Sequence, residues 1–308
     1  MSNLIYLRYI SLANVNLDLE HLETLLAVID AGSFDDASID LGVSPSAISQ
    51  RIKSLESRLG AILLVRSRPV KPTEQGARVL RYARQISLLG TEFSEELMRH
   101  EGREGKISLT IGVNADSLAT WFAPVFTALA KWPQLSCEIL RTDENLTVGL
   151  LRSGRVSAVV TNSQEAAQGC TIRRLGSMRY YAVAAPGVVS GASKDELSSA
   201  PIVLFDREDP LQHQMLERID PTKPRPVGTI SYVPDSLLFV QAIRAGMGWG
   251  MVPEQQLASA PELMVLNEQW FIDVPLFWQL WSGDSPALDR LGNILYTAAQ
   301  ESGIGLLP

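Results

Sequence analysis

Three short segments of helical periodicity, separated by Gly32 and Gly42 and closed by Gly60, constrain this chain more than any other feature. In DLEHLETLLAVIDAG the apolar residues Leu22, Leu25, Leu26 and Ile29 recur every three or four positions, which predicts an amphipathic helix over 19–30 ended by Gly32. Ser33 is placed to cap a short second helix, Phe34 to Leu41, that packs through Phe34, Ala37 and Leu41; the small Ala37 lets a crossing helix approach. Gly42 supplies the tight turn. Ser44-Pro45 opens a third helix with a hydroxyl cap and a proline at the first helical position, where its missing N–H costs nothing. That helix runs to Leu59. Its apolar stripe of Ile48, Ile52, Leu55 and Leu59 leaves Ser46, Ser49, Gln50 and Lys53 on a nearly opposite face.

Short hydroxyls, one amide and one cation on an exposed face suit a DNA major groove. Gln50 matches an adenine edge, while Ser44, Ser46, Ser49, Arg51 and Lys53 match bases or phosphates. After Gly60, AILLVRSRPVKPTEQG reads as a strand, a turn at Pro69 and a return to Pro72-Thr73. This wing sets Arg66, Arg68 and Lys71 against the backbone or minor groove. The formal net charge of −7 argues against a polyanionic partner, but the average conceals an asymmetry. Residues 18–50 hold seven acids and no Lys or Arg, whereas 51–84 hold nine bases against Glu56 and Glu74. A local excess of seven positive charges is the footprint of a phosphate-contacting surface. A plain three-helix core with a solvated polar face is the simpler alternative; the short second helix, glycine turn, capped third helix and basic segment together weigh against it.

The run SFDDASIDLGVSPSAISQRIKSLESRLGAILLVRSRPVKPTEQG resembles the N-terminal signature of LysR-type transcriptional regulators, and the resemblance continues across nearly the whole chain. Many members carry a second arginine and then Leu-Thr where this chain has Pro69 and Lys-Pro-Thr at 71–73. That departure, with NADSLATWF, LFDREDPLQH and AIRAGMGWGMVPE, is similar to the branch containing the lysine-export regulator LysG and the arginine-responsive regulator ArgP. The resemblance implies an activator of a basic-amino-acid exporter gene that responds to L-lysine, L-arginine or L-histidine, and promoter DNA and RNA polymerase as partners. It also implies a homodimer or homotetramer and a two-lobed effector domain similar to periplasmic solute-binding proteins.

From Thr73 to about Arg99 there is no proline, and Val79, Ala83, Ile86, Gly90, Phe93 and Leu97 alternate by four and three, the spacing of a helical seam. A linker helix that pairs two DNA-binding domains is expected there. Beyond EGREGK at 101–106, the runs KISLTIGV, LSCEILRT and VSAVVT alternate with helical patterns, which predicts parallel strands with crossover helices; a second series ends in MGWGMVP. The fold class is therefore mixed, α+β and α/β: residues 1–16 as a leader, disordered or a mis-set start; 17–75 as a winged helix-turn-helix; 76–103 as a linker helix; 104–308 as the effector domain. Its first lobe takes 104–178 and 272–308, its second 179–271.

Ligands in open α/β sheets bind beyond the carboxyl ends of strands. Those positions hold Asn114, Asp116 and Ser117, then Asp143 and Glu144, Thr161 and Asn162, Asp206, and Asp235 and Ser236. So many carboxylates attract a cation, while hydroxyls and helix-start N–H groups hold a carboxylate; an amino acid with a basic side chain presents both. Ser117, Thr161 and Ser236 are assigned to its carboxylate end or polar groups, and Asp116, Asp143 and Asp206 are candidates for its ammonium or guanidinium. The bland alternative is that these residues cap helices or sit in solvated turns.

Other functions find little support. Cys137 and Cys170 lack paired-ligand spacing, and His21, His100 and His213 are scattered, so no metal or other cofactor is expected. Gly246, Gly248 and Gly250 follow a helix and precede Pro253, the reverse of a dinucleotide loop. No catalytic constellation is present, and an enzyme is not expected. No apolar run reaches membrane-spanning length and no signal peptide is evident, so a cytoplasmic location without membrane contact is expected. Two other functions compete: a regulator of the same family with an unrelated effector, and a nucleoid or replication-origin DNA-binding protein.

Overall fold

The computed structural model describes residues 9–12, 15–100, 106–142, 149–189, 194–221, 226 and 228–304. The hinge expected at 101–106 lies, but for Lys106, outside the described residues. Part of the expected leader is ordered. β1 (Tyr9–Leu12) pairs antiparallel with β2 (Val15–Asp18), because the alternating chain there finds a partner strand directly before the first helix.

Each start and stop of the helical unit is written locally. Asp18 caps α1 (Leu19–Ala31) by accepting from Glu20 N–H, and Gly32 ends it in the left-handed region at φ 72°. Ser33 caps α2 (Phe34–Asp40), and Ser44 caps α3 (Pro45–Leu59). Leu22, Leu25, Val28, Ala37, Ile48, Ile52 and Leu55 meet in one buried cluster. β3 (Leu64–Val65) and β4 (Lys71–Pro72) form the wing hairpin. The wing's base is fastened by Glu56, whose carboxylate accepts from Leu63 N–H at 2.8 Å. Gly76 lies so close to it that a Cβ there would stand 1.9 Å from the Leu63 carbonyl oxygen.

α4 (Glu74–His100) is a single 27-residue helix. Leu80 and Ala83 complete the core of the helical unit, whereas Leu88 belongs to the core that follows. Part of the expected seam is therefore spent inside the monomer. Among the described residues, Tyr82, Leu89, Phe93 and Leu97 are left as the large exposed apolar residues of α4.

The remaining chain is organised on one sheet of order β11-β8-β13-β7-β5-β6, with β12 (Met264–Val265) also on β8. β5 (Ile107–Asn114) runs parallel to β6 (Leu135–Thr142) and β7 (Ala158–Thr161), as the crossover pattern predicts. The long β8 (Cys170–Ala184) and β13 (Phe271–Trp281) are antiparallel to each other, β13 returns beside β7, and β11 (Gly250–Pro253) is antiparallel to β8. β9 (Ile202–Leu204) and β10 (Ile230–Tyr232) make a separate parallel pair. The lobe boundaries expected at 178/179 and 271/272 fall inside or at the end of these two long strands. Their mutual hydrogen bonds carry the sheet through both lobes, with one register slip at Leu276/Phe277 opposite Gly176.

Two cores follow from this layout. The larger joins β5, β7, β8 and β13 to α6 (Ala123–Leu129) and to the terminal helix Pro286–Glu301. A smaller one gathers Val183, Val203, Phe239, Ile243 and Val252 around the helix Ser236–Arg244. The glycine triplet behaves as its flanks predict: Gly246 has φ 82° after that helix, and a Cβ on Gly248 would meet the Pro201 carbonyl oxygen at 2.6 Å.

Candidate functional site

Two surfaces carry the chemistry. On α3 the stripe Ile48, Ile52 and Leu55 is buried, which leaves Ser46, Gln50 and Lys53 exposed and Ser49 partly so. Ser44 spends its hydroxyl on the Ala47 N–H at 3.2 Å and lies 2.9 Å from the Ser46 hydroxyl, so cap and face are one unit. Arg51 is placed differently from the sequence expectation. Its guanidinium turns towards α1, ion-paired with Glu20 and 3.4 Å from the Thr24 hydroxyl, because its position borders the buried stripe. On the wing, Arg68 and Lys71 are exposed, and the Arg66 guanidinium lies 5.6 Å from the Phe34 ring centroid. Arg84 pairs with Asp30 and Arg78 with Glu74, so the positive excess over 51–84 is narrower than the count of bases suggests.

The second surface is a cavity of about 200 Å³ at the carboxyl ends of the strands. Among the sequence-predicted residues it brings together Asn114, Asp116, Asn162, Asp206 and Ser236. Ser117 does not line it; it is fully buried on α5 (Ala115–Ala119), and its hydroxyl has no partner. Thr161 does not line it either, its hydroxyl accepting from Ser163 N–H at 3.2 Å. Asp235 caps the helix Ser236–Arg244 and pairs with Arg141 at 3.2 Å; the Leu238 and Leu237 N–H groups and the arginine hold its carboxyl below the usual range. Asp143 and Glu144 lie outside the described residues.

Sequence reasoning missed Tyr180, Phe205, Glu208, Asp209, Phe239, Met251 and Gln256, all of which line the cavity. Tyr180 and Met251 sit within strands, and Asp209 and Gln256 lie beyond any strand end, so only the folded packing reveals them. Asp116 is the centre of the polar wall. One of its oxygens accepts from the Ser236 hydroxyl at 2.5 Å and the other from Tyr180 at 2.7 Å, while Gln256 Nε2 donates to the Ser236 oxygen at 3.1 Å. Asp206 accepts from Glu208 N–H, and Asp209 accepts from Phe205 and Leu211 N–H.

Burial pushes the Asp116 carboxyl above its ordinary value, against the pull of the Ser236 and Tyr180 hydrogen bonds. Asp209 is raised by burial as well, and the negative Asp116 and Asp206 add to the effect. Two further acceptors, Asn114 Oδ1 and Gln256 Oε1, are buried without a partner among the described residues. Among its described lining residues the cavity holds no Lys, Arg or His. It is rich in acceptors and negative charge, with Phe205, Leu211, Phe239 and Met251 as apolar walls. A donor-rich cation with a hydrocarbon stem fits that chemistry.

Residues 19–77 match the family described as bacterial regulatory helix-turn-helix protein, lysR family, and residues 102–299 match the LysR substrate binding domain. The chain is 41% identical over 296 residues to the lysine export transcriptional regulatory protein LysG of Corynebacterium glutamicum, covering 93% of this chain and 98% of that one. Full-length LysG from the same organism with bound effector Arg superposes with a TM-score of 0.76 at 39% identity, covering 95% of this chain and all of the other. ArgP from Mycobacterium tuberculosis gives a TM-score of 0.84 at 36% identity, with the same coverage.

Proposed function

The chain belongs to the LysR family of bacterial transcriptional regulators, and from that premise we propose that its cleft takes a basic amino acid, L-arginine, L-lysine or L-histidine, and thereby controls a gene for exporting such amino acids. One observation carries this reading: the cavity gathers Asp116, Asp206, Glu208 and Asp209 with two unpartnered acceptors and, among its described lining residues, no cation. An effector carrying only negative charge would meet four carboxylates there and, among the described lining residues, no cation to offset them. The effector Arg bound to the similar LysG supports the same class.

In this reading Asp116 and Asp206 hold the cationic groups, with Asp209 and Glu208 reinforcing the field, and the apolar walls hold the stem. Asn162 lines the same cavity, and Ser236, whose hydroxyl donates to Asp116, holds that carboxylate in place. Promoter DNA meets Ser44, Ser46, Ser49, Gln50 and Lys53 on α3 and Arg66, Arg68 and Lys71 on the wing, with 17–75 as the DNA-binding unit, 76–103 as the linker and 104–308 as the effector domain. Arg51 holds α3 to α1 instead. The exposed stripe Tyr82, Leu89, Phe93 and Leu97 supports pairing of linker helices in a homodimer or homotetramer. In this reading the protein works in the cytoplasm and, as an activator, contacts RNA polymerase.

Calorimetric titration of the full-length protein with L-arginine, L-lysine, L-histidine and the neutral citrulline tests the effector class. Heat from at least one of the three basic amino acids and none from citrulline is expected. Absence of heat from all three sinks it.

A further inference from the structure

Between the DNA-binding unit and the effector domain lies a polar contact that neither site uses. Glu92, four residues beyond Leu88 on α4, reaches the start of the terminal helix Pro286–Glu301. Its Oε1 accepts from the Ser285 hydroxyl at 2.6 Å and from the Ala287 N–H at 3.0 Å, and its Oε2 is buried without a partner. The Ser285 oxygen accepts from Leu288 N–H, so this helix is capped jointly by its own serine and by a carboxylate from another element. Orphan N–H groups and the helix dipole both favour a negative charge there.

Two further contacts fix where α4 lies. Leu88 is buried in the effector-domain core. Eleven residues before Glu92, the Arg81 guanidinium donates to the Gln168 carbonyl at 3.0 Å, and a Cβ on Gly154 would stand 2.7 Å from Arg81 Cα. The helix is thus held to the effector domain at two points about 16 Å apart along its axis.

We propose that Glu92 is the positioning residue that makes the DNA-binding unit follow the effector domain. The proposal rests on the cleft being the effector site, because occupancy of the cleft is what the linkage transmits. Apolar packing at Leu88 is non-directional, and the Arg81–Gln168 bond comes from a long, partly exposed side chain at the other end of the contact, so these two leave room for a roll of the helix at its effector-domain end. Hydrogen bonds from a carboxylate to one hydroxyl and one N–H fix both rotation and axial position. Without them the effector still binds, but the two binding events lose their coupling.

The test uses full-length protein carrying Asp40→Cys and Lys131→Cys, both exposed positions, in a Cys137→Ala, Cys170→Ala background, spin-labelled and diluted with unlabelled chain. Pulsed spin resonance is expected to give a narrow distance distribution with Glu92 in place, a broad one in Glu92→Ala, and a narrow one again in Glu92→Gln, whose carbonyl oxygen still accepts. Should Glu92→Ala fail to fold, Ser285→Ala removes one of the two donors and is expected to broaden the distribution in part. L-arginine affinity, read by calorimetry on the same proteins, should stay unchanged. The effect of arginine on operator affinity, about five- to 150-fold for couplings of ordinary size, should fall below about twofold in Glu92→Ala. A distribution that stays narrow in Glu92→Ala, or that Glu92→Gln broadens equally, overturns the proposal. If arginine gives no heat with Glu92 intact, the cleft reading fails, and the label distances still decide the role of Glu92.

Discussion

Asp206 commits one oxygen to its own turn, and the other accepts no hydrogen bond among the described residues. Asp206→Ala therefore removes a partner for a bound cation while leaving most of the cavity intact. A hydrogen bond to a charged group is worth about 1.5–3 kcal/mol, so L-arginine should bind roughly 10–100-fold more weakly in calorimetry. Asp116 and Asp209 add a pH dependence whose sign follows from their raised carboxyls. A carboxyl raised in the folded state favours folding below its ordinary value of 3.8 and loses that contribution as the pH climbs through the raised value. A bound cation has the opposite effect, favouring the ionised form, so binding releases protons. Arginine affinity should fall as the pH drops through the range of these raised carboxyls, by at most about tenfold per unit for each group, and Asp116→Asn should flatten the profile. An affinity independent of pH would contradict the assignment of these carboxylates. At this scale the sequence disclosed the residues at strand ends but not which way they face. Ser117 and Thr161 occupy the right positions and turn into the protein, whereas Tyr180 comes from mid-strand and donates to Asp116 from 64 residues away.

On α3, Arg51 is paired with Glu20 whereas Lys53 is exposed and proposed to meet DNA, and the difference can be measured. Lys53→Ala should lower the slope of log affinity against log salt for operator DNA by about 0.9, the value for one phosphate contact. Arg51→Ala should leave that slope unchanged and cost roughly 1 kcal/mol or less of stability, since its ion pair with Glu20 is partly exposed. Equal salt slopes for the two variants would reverse the assignment. Gly76→Ala drives a methyl group into the Leu63 carbonyl, and about 1–3 kcal/mol of overpacking should appear as a lower melting temperature together with weaker DNA binding through the displaced wing. The helices were legible because Asp18, Ser33 and Ser44 start them, Gly32 and Gly60 stop two of them, and the apolar period fills the space between. The pairing of Arg51 with a residue 31 positions earlier is a tertiary fact with no local sign. The passage of β8 and β13 through both lobes escaped notice for a related reason: no glycine or proline marks positions 178/179 or 271/272, since the hydrogen-bonded strands do not break there.

For the molecule as a whole, the acidic average charge and the basic wing coexist because several arginines are neutralised within the fold and Arg68 and Lys71 remain exposed on one hairpin. Assembly should depend on the exposed face of α4. Leu89→Glu with Phe93→Glu places like charges on that stripe, and sedimentation should show a smaller species that binds a two-half-site operator much less tightly while still binding arginine; an unchanged sedimentation coefficient would move the interface elsewhere. The length of α4 has a mechanical consequence. Twenty-seven residues at 1.5 Å each make a rod about 40 Å long. Held to the effector domain at both Arg81 and Glu92, the rod turns with that domain as one body, and a rotation of about 10° around one end of the rod would carry the other about 7 Å, roughly two base-pair steps at 3.4 Å each. Under the proposed linkage the helix is a lever arm, through which a small shift at the cleft would move α3 from one groove position to another.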